Sequence, residues 1–553
     1  MKKFTINFFY IALVFAMTSL LGSCHDDNNE IIEDENDDPG YEILEVPTED
    51  QMEVTSIVNL YVPSTDELSD VAQALIRRCP AGEDYSACAI LLTSKFIDAA
   101  DDATLTKIKD FYNDGGMIIM DRPTPNNFKK LEAGMGLDKI ADPMEEHDDH
   151  EAYGIYAFNK HFDIYKLNDV FDEDGEEYKT FREGTSIDED GNTADVEDSS
   201  EGVTDGQEEQ PLTPYLAGLI ADPLAHWMTE NNIPDEWRES RKKQIIANSR
   251  GTMDEIIHAQ SVTSTWTHGV EEWWKDKCSD KIWQTLKDRK TVYTTTTRIY
   301  VAYSYDQYRD YYLFDQTVWA NNSHKWLGYW SKGTYDHQGL YLYALHIENN
   351  FFVWDGHNKY YIPNNEGLVL EDFSPETVVG SQTYSSSTGF SFGGNAGLSP
   401  SGPTANYNFG INVSTSQSYS IPDLSVISMC GDDANLGNNC KWEYISRNQN
   451  YDIDWKDKAT FYPPTQLSIN TIKVGQSWVW KLDNPKRFDN RDFYLSYTLR
   501  AVMCADYRRW KGIFRKKDWG TDGLISTDIH YISIIKPNRD PNYKNYTKKE
   551  GAR

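Results

Sequence analysis

Between Thr377 and Ser420 hydrophobic and polar positions alternate with period two, the period of a strand rather than a helix. Ala405, Tyr407, Phe409, Ile411 and Val413 fall on one face, and Asn406, Asn408, Gly410, Asn412 and Ser414 on the other. A weaker copy precedes it, with Tyr384, Ser386, Thr388, Phe390 and Phe392 alternating against Thr383, Ser385, Ser387, Gly389 and Ser391. Between the two arms lies Ser399-Pro400-Ser401-Gly402-Pro403, a turn by composition. The pattern predicts a long β-hairpin with one apolar face and one small, neutral, polar face.

Elsewhere the periods differ. Apolar runs at Ser56–Val62, Ala89–Thr93 and Met117–Met120 alternate with helical patterns at Ser64–Arg78 and Asp102–Tyr112. This predicts βαβ units and a small, doubly wound α/β domain over residues 53–170, with Gly115-Gly116 as a helix C-cap. Residues 212–290 read as mainly helical, with most of Trp227, Trp237, Trp266, Trp273, Trp274 and Trp283 in a core. From Thr291 onward, aromatic and β-branched runs such as Tyr293–Tyr303, Gly339–Ile347, Trp478–Leu482 and Phe493–Met503 predict a mainly-β sandwich over 291–553, the hairpin occupying 377–422. The chain of 553 residues is therefore expected to be multidomain.

Charge sharpens the picture of the hairpin. A globular window as long as Thr377–Ser420 should carry roughly ten charges, and this one carries none. A hairpin in a soluble sandwich keeps Lys or Glu on its wet face against aggregation. A transmembrane β-strand spans the bilayer in about 9–11 residues, alternates lipid-facing with lumen-facing side chains and is penalised for charge on its lipid face. Each arm is long enough to span. Since one hairpin cannot close its own edges in hydrocarbon, several copies would have to close one barrel. A low-complexity surface loop, or an ordinary hairpin in a β-rich binding domain, is the alternative.

The formal net charge of −35 is unevenly spread. Residues 24–240 hold about 55 acids against about 15 bases, leaving the remainder slightly positive. Nucleic acid is not an expected partner of such a surface. Residues 171–211 are rich in acids, Gly, Ser and Thr and read as a weakly ordered linker open to proteolysis.

The N-terminus has Lys2 and Lys3, an apolar run from Phe8 to Leu21, then Leu21-Gly22-Ser23-Cys24. This reads as a lipoprotein signal over 1–23 with Cys24 lipidated, followed by an acidic tether over 24–52. The expected location is the outer membrane of a Gram-negative cell, facing outward. Six further cysteines fit export. Cys79 with Cys88 and Cys430 with Cys440 could close short loops, and Cys278 with Cys504 a long one, although spacing alone does not fix connectivity.

Chemistry-bearing constellations are sparse. There is no phosphate-binding glycine fingerprint, nucleophile elbow or carboxylate pair that the sequence singles out, so neither catalysis nor a cofactor is expected. The cluster Glu145, Glu146, His147, Asp148, Asp149, His150 and Glu151 reads as a solvated loop rather than a metal site.

The run Gly380–Val426, closing in Tyr419-Ser420-Ile421-Pro422-Asp423, resembles the Gly- and Ser-rich stem of the leukocidin and hemolysin β-barrel pore-forming toxins, with the Pro-Asp that follows it. The segment from about Thr291 to Ile535 is similar in layout to their β-sandwich, so the likeness covers a little under half of the chain. It implies a leukocidin-like sandwich with a pre-stem hairpin, a ring-shaped homo-oligomer, and a target-membrane lipid or glycan receptor. Tyr384, Phe390, Phe392, Tyr407, Phe409, Ile411 and Val413 would face lipid. Trp442, Tyr451 and Trp455 occupy roughly the place of the family's membrane-docking rim, without a clear motif match, and Arg509 and Trp510 belong to a basic aromatic segment that could dock similarly. The domain ahead of the sandwich resembles the layout of vibrio-type cytolysins, in which a leading domain is removed on activation. The competing function class is a surface glycan-binding lipoprotein of a gut-type Gram-negative bacterium, which leaves the charge-free alternation unexplained.

Overall fold

The structure is a computed structural model that describes residues 49–50, 52, 54–137, 140, 153–168, 212–248, 272–278, 283–284, 367–375 and 377, together with the strands named below. The chain runs β1 (Leu60–Tyr61), α1 (Asp70–Arg78), β2 (Ala89–Thr93), α2 (Ser94–Ala99), α3 (Asp102–Asn113), β3 (Met117–Asp121), α4 (Pro125–Met135), β4 (Tyr153–Phe158) and β5 (Asp163–Asn168). Ser69, Thr93, Asp101 and Thr124 start the four helices, each side chain accepting an amide otherwise left unpaired in the first turn. Gly115 follows α3 with φ +99°, a conformation glycine adopts without steric cost, as the C-cap expectation required.

β6 (Glu177–Ile187) and β7 (Thr193–Thr204) come next, then α5 (Pro214–Asn231), α6 (Asp235–Asn248), β8 (Glu255–Gly269), β9 (Lys290–Ser304) and β10 (Arg309–Asn322). β11 (Tyr329–Lys332), β12 (Tyr335–Trp354), β13 (Lys359–Tyr361) and β14 (Leu368–Ser374) lead to the short pair β15 (Thr383–Ser385) and β16 (Ser418–Ser420). β17 (Leu424–Asp433), β18 (Gly437–Ser446), β19 (Tyr451–Asp452), β20 (Thr460–Phe461), β21 (Thr471–Asp483), β22 (Asp492–Trp510) and β23 (Lys517–Ile534) complete the described chain.

Among the described residues most strands join two large sheets. One has ten strands in the order β1-β2-β3-β4-β5-β8-β9-β10-β21-β14. The other follows β17-β18-β12-β22-β23-β6-β7, with β11 and β13 also paired to β12. β1, β2 and β3 are mutually parallel, and β2 and β3 are buried along their whole length because helices cover both faces. Ala89, Leu91, Met117 and Ile119 share a core with α1 and α5, while Ile90, Leu92, Ile118 and Met120 pack with α3 and α4.

Three expectations are revised. The α/β segment is not a body on its own sheet, since β5 pairs in parallel with β8 from Asp163↔Ser261 to Leu167↔Thr265 and carries the sheet on into the sandwich. The acidic stretch 171–211 holds β6 and β7, an antiparallel pair whose inner strand lies along β23. Residues 212–290 are helical through α5 and α6, after which β8 begins, followed by a short 3-10 helix at Glu272–Lys277. Of the tryptophans there, Trp227, Trp266, Trp274 and Trp283 are buried and Trp237 is exposed. Among the described residues no helix is long and apolar enough to cross a membrane, which says nothing of a β-barrel.

The two sheets enclose a core of Phe314, Phe351, Trp442, Trp478, Trp480 and Phe493 with aliphatic neighbours. Phe314 stacks on Trp478 at 4.9 Å and 6°. A second anchor ties α1 to α5. Arg78, fully buried, reaches Asp222 Oδ1 with Nε at 2.6 Å and Asp50 Oδ1 with Nη2 at 2.7 Å, and its hydrogen bonds hold the Asp50 carboxyl below its ordinary pKa. Gly218 of α5 makes room for this contact, because a Cβ there would collide with the Asp50 carboxylate.

Replacing Arg78 by Met leaves Asp222, 2% exposed at its side chain, facing an apolar group. We expect urea unfolding at pH 7 to show a loss of about 3–5 kcal/mol, and an added Asp222→Leu to restore much of it. Equal stability of Arg78→Met and the parent would show that the bridge contributes nothing.

Candidate functional site

The strands on either side of the charge-free stretch are edges. β14, which precedes it, is the last strand of the ten-stranded sheet and among the described residues pairs only with β21. β17, which follows it, is the last strand of the other sheet and among the described residues pairs only with β18. The stretch therefore springs from one border of the sandwich, where its two sheets end.

Side chains join the two edges at this root. Thr377 Oγ1 accepts the Ser428 amide at 3.0 Å and lies 3.2 Å from Ser428 Oγ, linking the chain just past the end of β14 to the middle of β17. Trp442 Nε1 of β18 donates to the Pro375 carbonyl at 3.0 Å. Neither link was legible in the sequence, because the partners are 51 and 67 residues apart and carry no motif.

Beyond the root, β15 and β16 pair antiparallel as a sheet of their own, in the register Thr383↔Ser420, Tyr384↔Tyr419 and Ser385↔Ser418. The two ends of the stretch are thus brought together as a hairpin base. Tyr384 lies in this base, whereas Phe390, Phe392, Tyr407, Phe409, Ile411 and Val413 lie outside the described residues.

Trp442 is not a docking residue. It is 0% exposed, lies 5.5 Å from the Trp478 ring and buttresses the root from inside, because β18 turns it towards the facing sheet. Tyr451 is in β19, opposite Phe461 of β20. Arg509 and Trp510 end β22, opposite Asp518 and Lys517 of β23. Trp455, Cys24 and the cluster Glu145–Glu151 lie outside the described residues. Among those described, no group of three or more His, Cys, Asp or Glu could hold a metal ion.

None of the six cysteines forms a disulfide in this structure. Cys430 and Cys440 stand directly opposite each other across β17 and β18, and burial with the neighbouring thiol raises the Cys440 pKa well above its ordinary value. Cys79 and Cys88 pack against one core, and burial pushes the Cys79 thiol up to about 12. Cys278 and Cys504 belong to different hydrophobic clusters, so the long-range pairing is not formed.

β17 depends on β18, and β18 carries an ion cluster. Glu443 Oε1 lies 3.4 Å from His346 Nδ1 and 2.9 Å from Lys441 Nζ, and these partners, His346 foremost, push its pKa down to about 2 against the burial that opposes them.

No protein-family model and no curated protein matches this chain. Among solved structures it is similar to one described as a pore forming protein, at 12% identity and TM-score 0.28, covering 49% of this chain and 90% of the other. It is similar to Clostridium perfringens delta-toxin at 11% identity and TM-score 0.28, covering 50% and 90%. For Clostridium perfringens NetB toxin in its membrane-inserted form the values are 10%, 0.24, 50% and 95%.

Two outcomes are expected at the root. Thr377→Val removes the acceptor of the Ser428 amide and should speed hydrogen exchange there about tenfold, a change of roughly 1.4 kcal/mol, without moving exchange in β10. Because the Glu443 pKa is lowered in the folded state, its stabilisation is complete above about 4.5 and is lost as pH falls towards about 2. Acid unfolding of the parent should therefore steepen over that interval, and Glu443→Gln should flatten it. An unchanged acid profile in Glu443→Gln would remove this group from the account.

Proposed function

We propose that this chain is a β-barrel pore-forming protein that assembles as a ring of identical subunits on a target membrane, each inserting residues 377–422 as one hairpin. The observation that carries it is the register of the hairpin base. Continued without a bulge from Tyr384↔Tyr419, that register sets Phe390 opposite Val413 and Phe392 opposite Ile411, apolar against apolar. It also centres the hairpin on Ser401-Gly402, inside the turn sequence Ser399-Pro400-Ser401-Gly402-Pro403. Pairing, alternation and turn thus agree on the same hairpin, although each comes from different residues.

In the barrel, Tyr384, Phe390, Phe392, Tyr407, Phe409, Ile411 and Val413 face lipid, and the Asn and Ser positions line a wet lumen. Barrel closure supplies the hydrogen-bond partners that a lone hairpin lacks. With no charge along the lumen, conduction is poorly selective and biased only by acids at its mouth such as Glu376 and Asp423. Export through the N-terminal signal, with Cys24 as a lipid anchor, places the protein outside the cell that makes it.

The test is dye release from liposomes, including ones made from native membrane extract. Ile411→Lys puts a charge on the lipid face at about 2–4 kcal/mol per subunit near the bilayer midplane and should abolish release. Asn412→Lys, one residue away on the lumen face, should keep release and shift the reversal potential towards anions. Parent protein that releases no dye from any liposome, or two variants that behave alike, would defeat the proposal.

A further inference from the structure

A cleft of about 840 Å³ opens where the end of α5 and the start of α6 meet the turn between β4 and β5 and the strands β8 and β9. This volume falls within the roughly 300–1,000 Å³ of small-ligand sites. It is separate from the hairpin root, since β9, β10 and β21 lie between β8 and β14 in the sheet.

The acids of this cleft are each paired with a base. Arg238 Nη2 lies 2.7 Å from Asp163 Oδ2, and Arg298 Nη2 lies 3.0 Å from Glu230 Oε2. His161 Nε2 is 2.9 Å from Asp235 Oδ1, with Lys160 Nζ 3.4 Å from the other oxygen of that carboxylate. Lys242 Nζ holds Glu239 at 2.8 Å. In a chain of formal net charge −35, this wall offers no single-sign field to an ion. It does offer donors and acceptors side by side, which is what vicinal hydroxyl groups match, since each hydroxyl both donates and accepts.

Two aromatic rings complete the cleft while remaining in contact with water. Trp237 is 66% exposed and Phe162 is 45% exposed. The Phe162 backbone has φ +61°, a left-handed conformation that costs a non-glycine residue about 1–2 kcal/mol. Asn159 holds it there, its Oδ1 accepting the His161 amide at 2.9 Å and the Asp163 amide at 3.2 Å, and its carbonyl accepting the Phe162 amide at 3.2 Å. One exposed apolar side chain is ordinary. A strained turn that lifts a ring into water beside an exposed tryptophan and a charge-balanced polar cleft is not explained by stability.

We infer that this cleft binds a neutral glycan, the apolar faces of its sugar rings stacked on Trp237 and Phe162 and its hydroxyls hydrogen-bonded to the Arg238–Asp163 and His161–Asp235 pairs. An anion would meet the four carboxylates and a cation the bases beside them, whereas an uncharged polyol uses both. The inference does not rest on the pore, because the site and the hairpin root share no residue.

The test applies the full chain to an array of neutral oligosaccharides of glucose, galactose, mannose and N-acetylglucosamine, with sialylated and sulfated glycans as the charged arm. The strongest neutral glycan is then titrated calorimetrically against the parent, Trp237→Ala and Asp235→Asn. Both positions are largely exposed, so both variants should keep the parent's unfolding midpoint. Each should bind about tenfold more weakly, the loss of one stacked ring or one charge-assisted hydrogen bond. Absence of neutral-glycan binding, binding of charged glycans alone, or equal affinity in all three proteins would overturn the inference. Dye release from glycan-free liposomes should be the same for Trp237→Ala and the parent, so glycan binding and pore formation fail or succeed independently.

Discussion

Two glutamines set the sandwich. Gln316 of β10 and Gln476 of β21 are opposite each other and fully buried, and two primary amides in an apolar core must find partners or cost several kcal/mol. Gln476 Nε2 donates to Gln316 Oε1 at 2.6 Å, and Gln316 Nε2 donates to Thr297 Oγ1 at 3.1 Å. The rest comes from the facing sheet. Asn349 Nδ2 of β12 donates to Gln316 Oε1 at 3.0 Å, and the Tyr444 hydroxyl of β18 reaches Gln476 Oε1 at 3.0 Å. Aromatic contacts around this network tolerate small slides, but the network does not, because a one-residue slip of any strand would turn its amide to the other face. The hairpin root inherits that precision, since β14 is paired to the strand of Gln476 and β17 to the strand of Tyr444.

Under the proposed insertion, Thr377–Ser420 would leave one environment for another and could not be built for either alone. Charges along Thr377–Ser420 would improve the solubility of an edge and would then have to be desolvated in a bilayer. Uncharged hydroxyls and amides can be satisfied by protein, by water or in a lumen, so the neutral face serves every stage at modest cost. Placement at two sheet edges serves the same end. Among the described residues each flanking strand is bonded on one side only, so the proposed insertion would leave the interior ladders of both sheets intact. The Thr377–Ser428 contact is then a small local restraint and not part of the core.

The sequence made legible what period and capping determine. The β2 and β3 runs, the helix from Asp102, the Gly115 cap and the long strands past Thr291 follow from local pattern, whereas the first helix, read from Ser64, starts at Asp70 with Ser69 as its cap. What it hid was long-range pairing. Nothing in Asp163–Asn168 announces β8 as a parallel partner, because the strand's alternation is satisfied equally by an edge or an interior place. β6 and β7 were hidden by composition, since an acidic, Gly- and Ser-rich segment lacks the apolar content to form strands alone and does so here along β23, where Gly184 lies opposite Gly520. Trp442 was misplaced for a related reason, as its position after the hairpin suits a rim and its inward direction is set by the pleat of β18. The cleft of Trp237 and Phe162 had no linear signal, its residues coming from separate segments between Lys160 and Tyr300.

The shared sheet also limits how the molecule can be switched. Excising residues 53–170 would strip β5 from β8, break the buried hydrogen bond from Tyr165 to Thr265 and leave Asp222 without Arg78. It would open a long sheet edge at β8 and uncover the apolar face of α5, which packs with α1 and the strands beside it. A separable leading domain normally meets its neighbour across a small, polar interface, and here the junction is backbone pairing and core. Release of the hairpin with the N-terminal part still in place therefore has the lower structural cost. The cleft of Trp237 and Phe162 lies beside this same junction, on strands β8 and β9 in the interior of the sheet, so a ligand bound there would rest on backbone pairing and core and not on the sheet edge at β14.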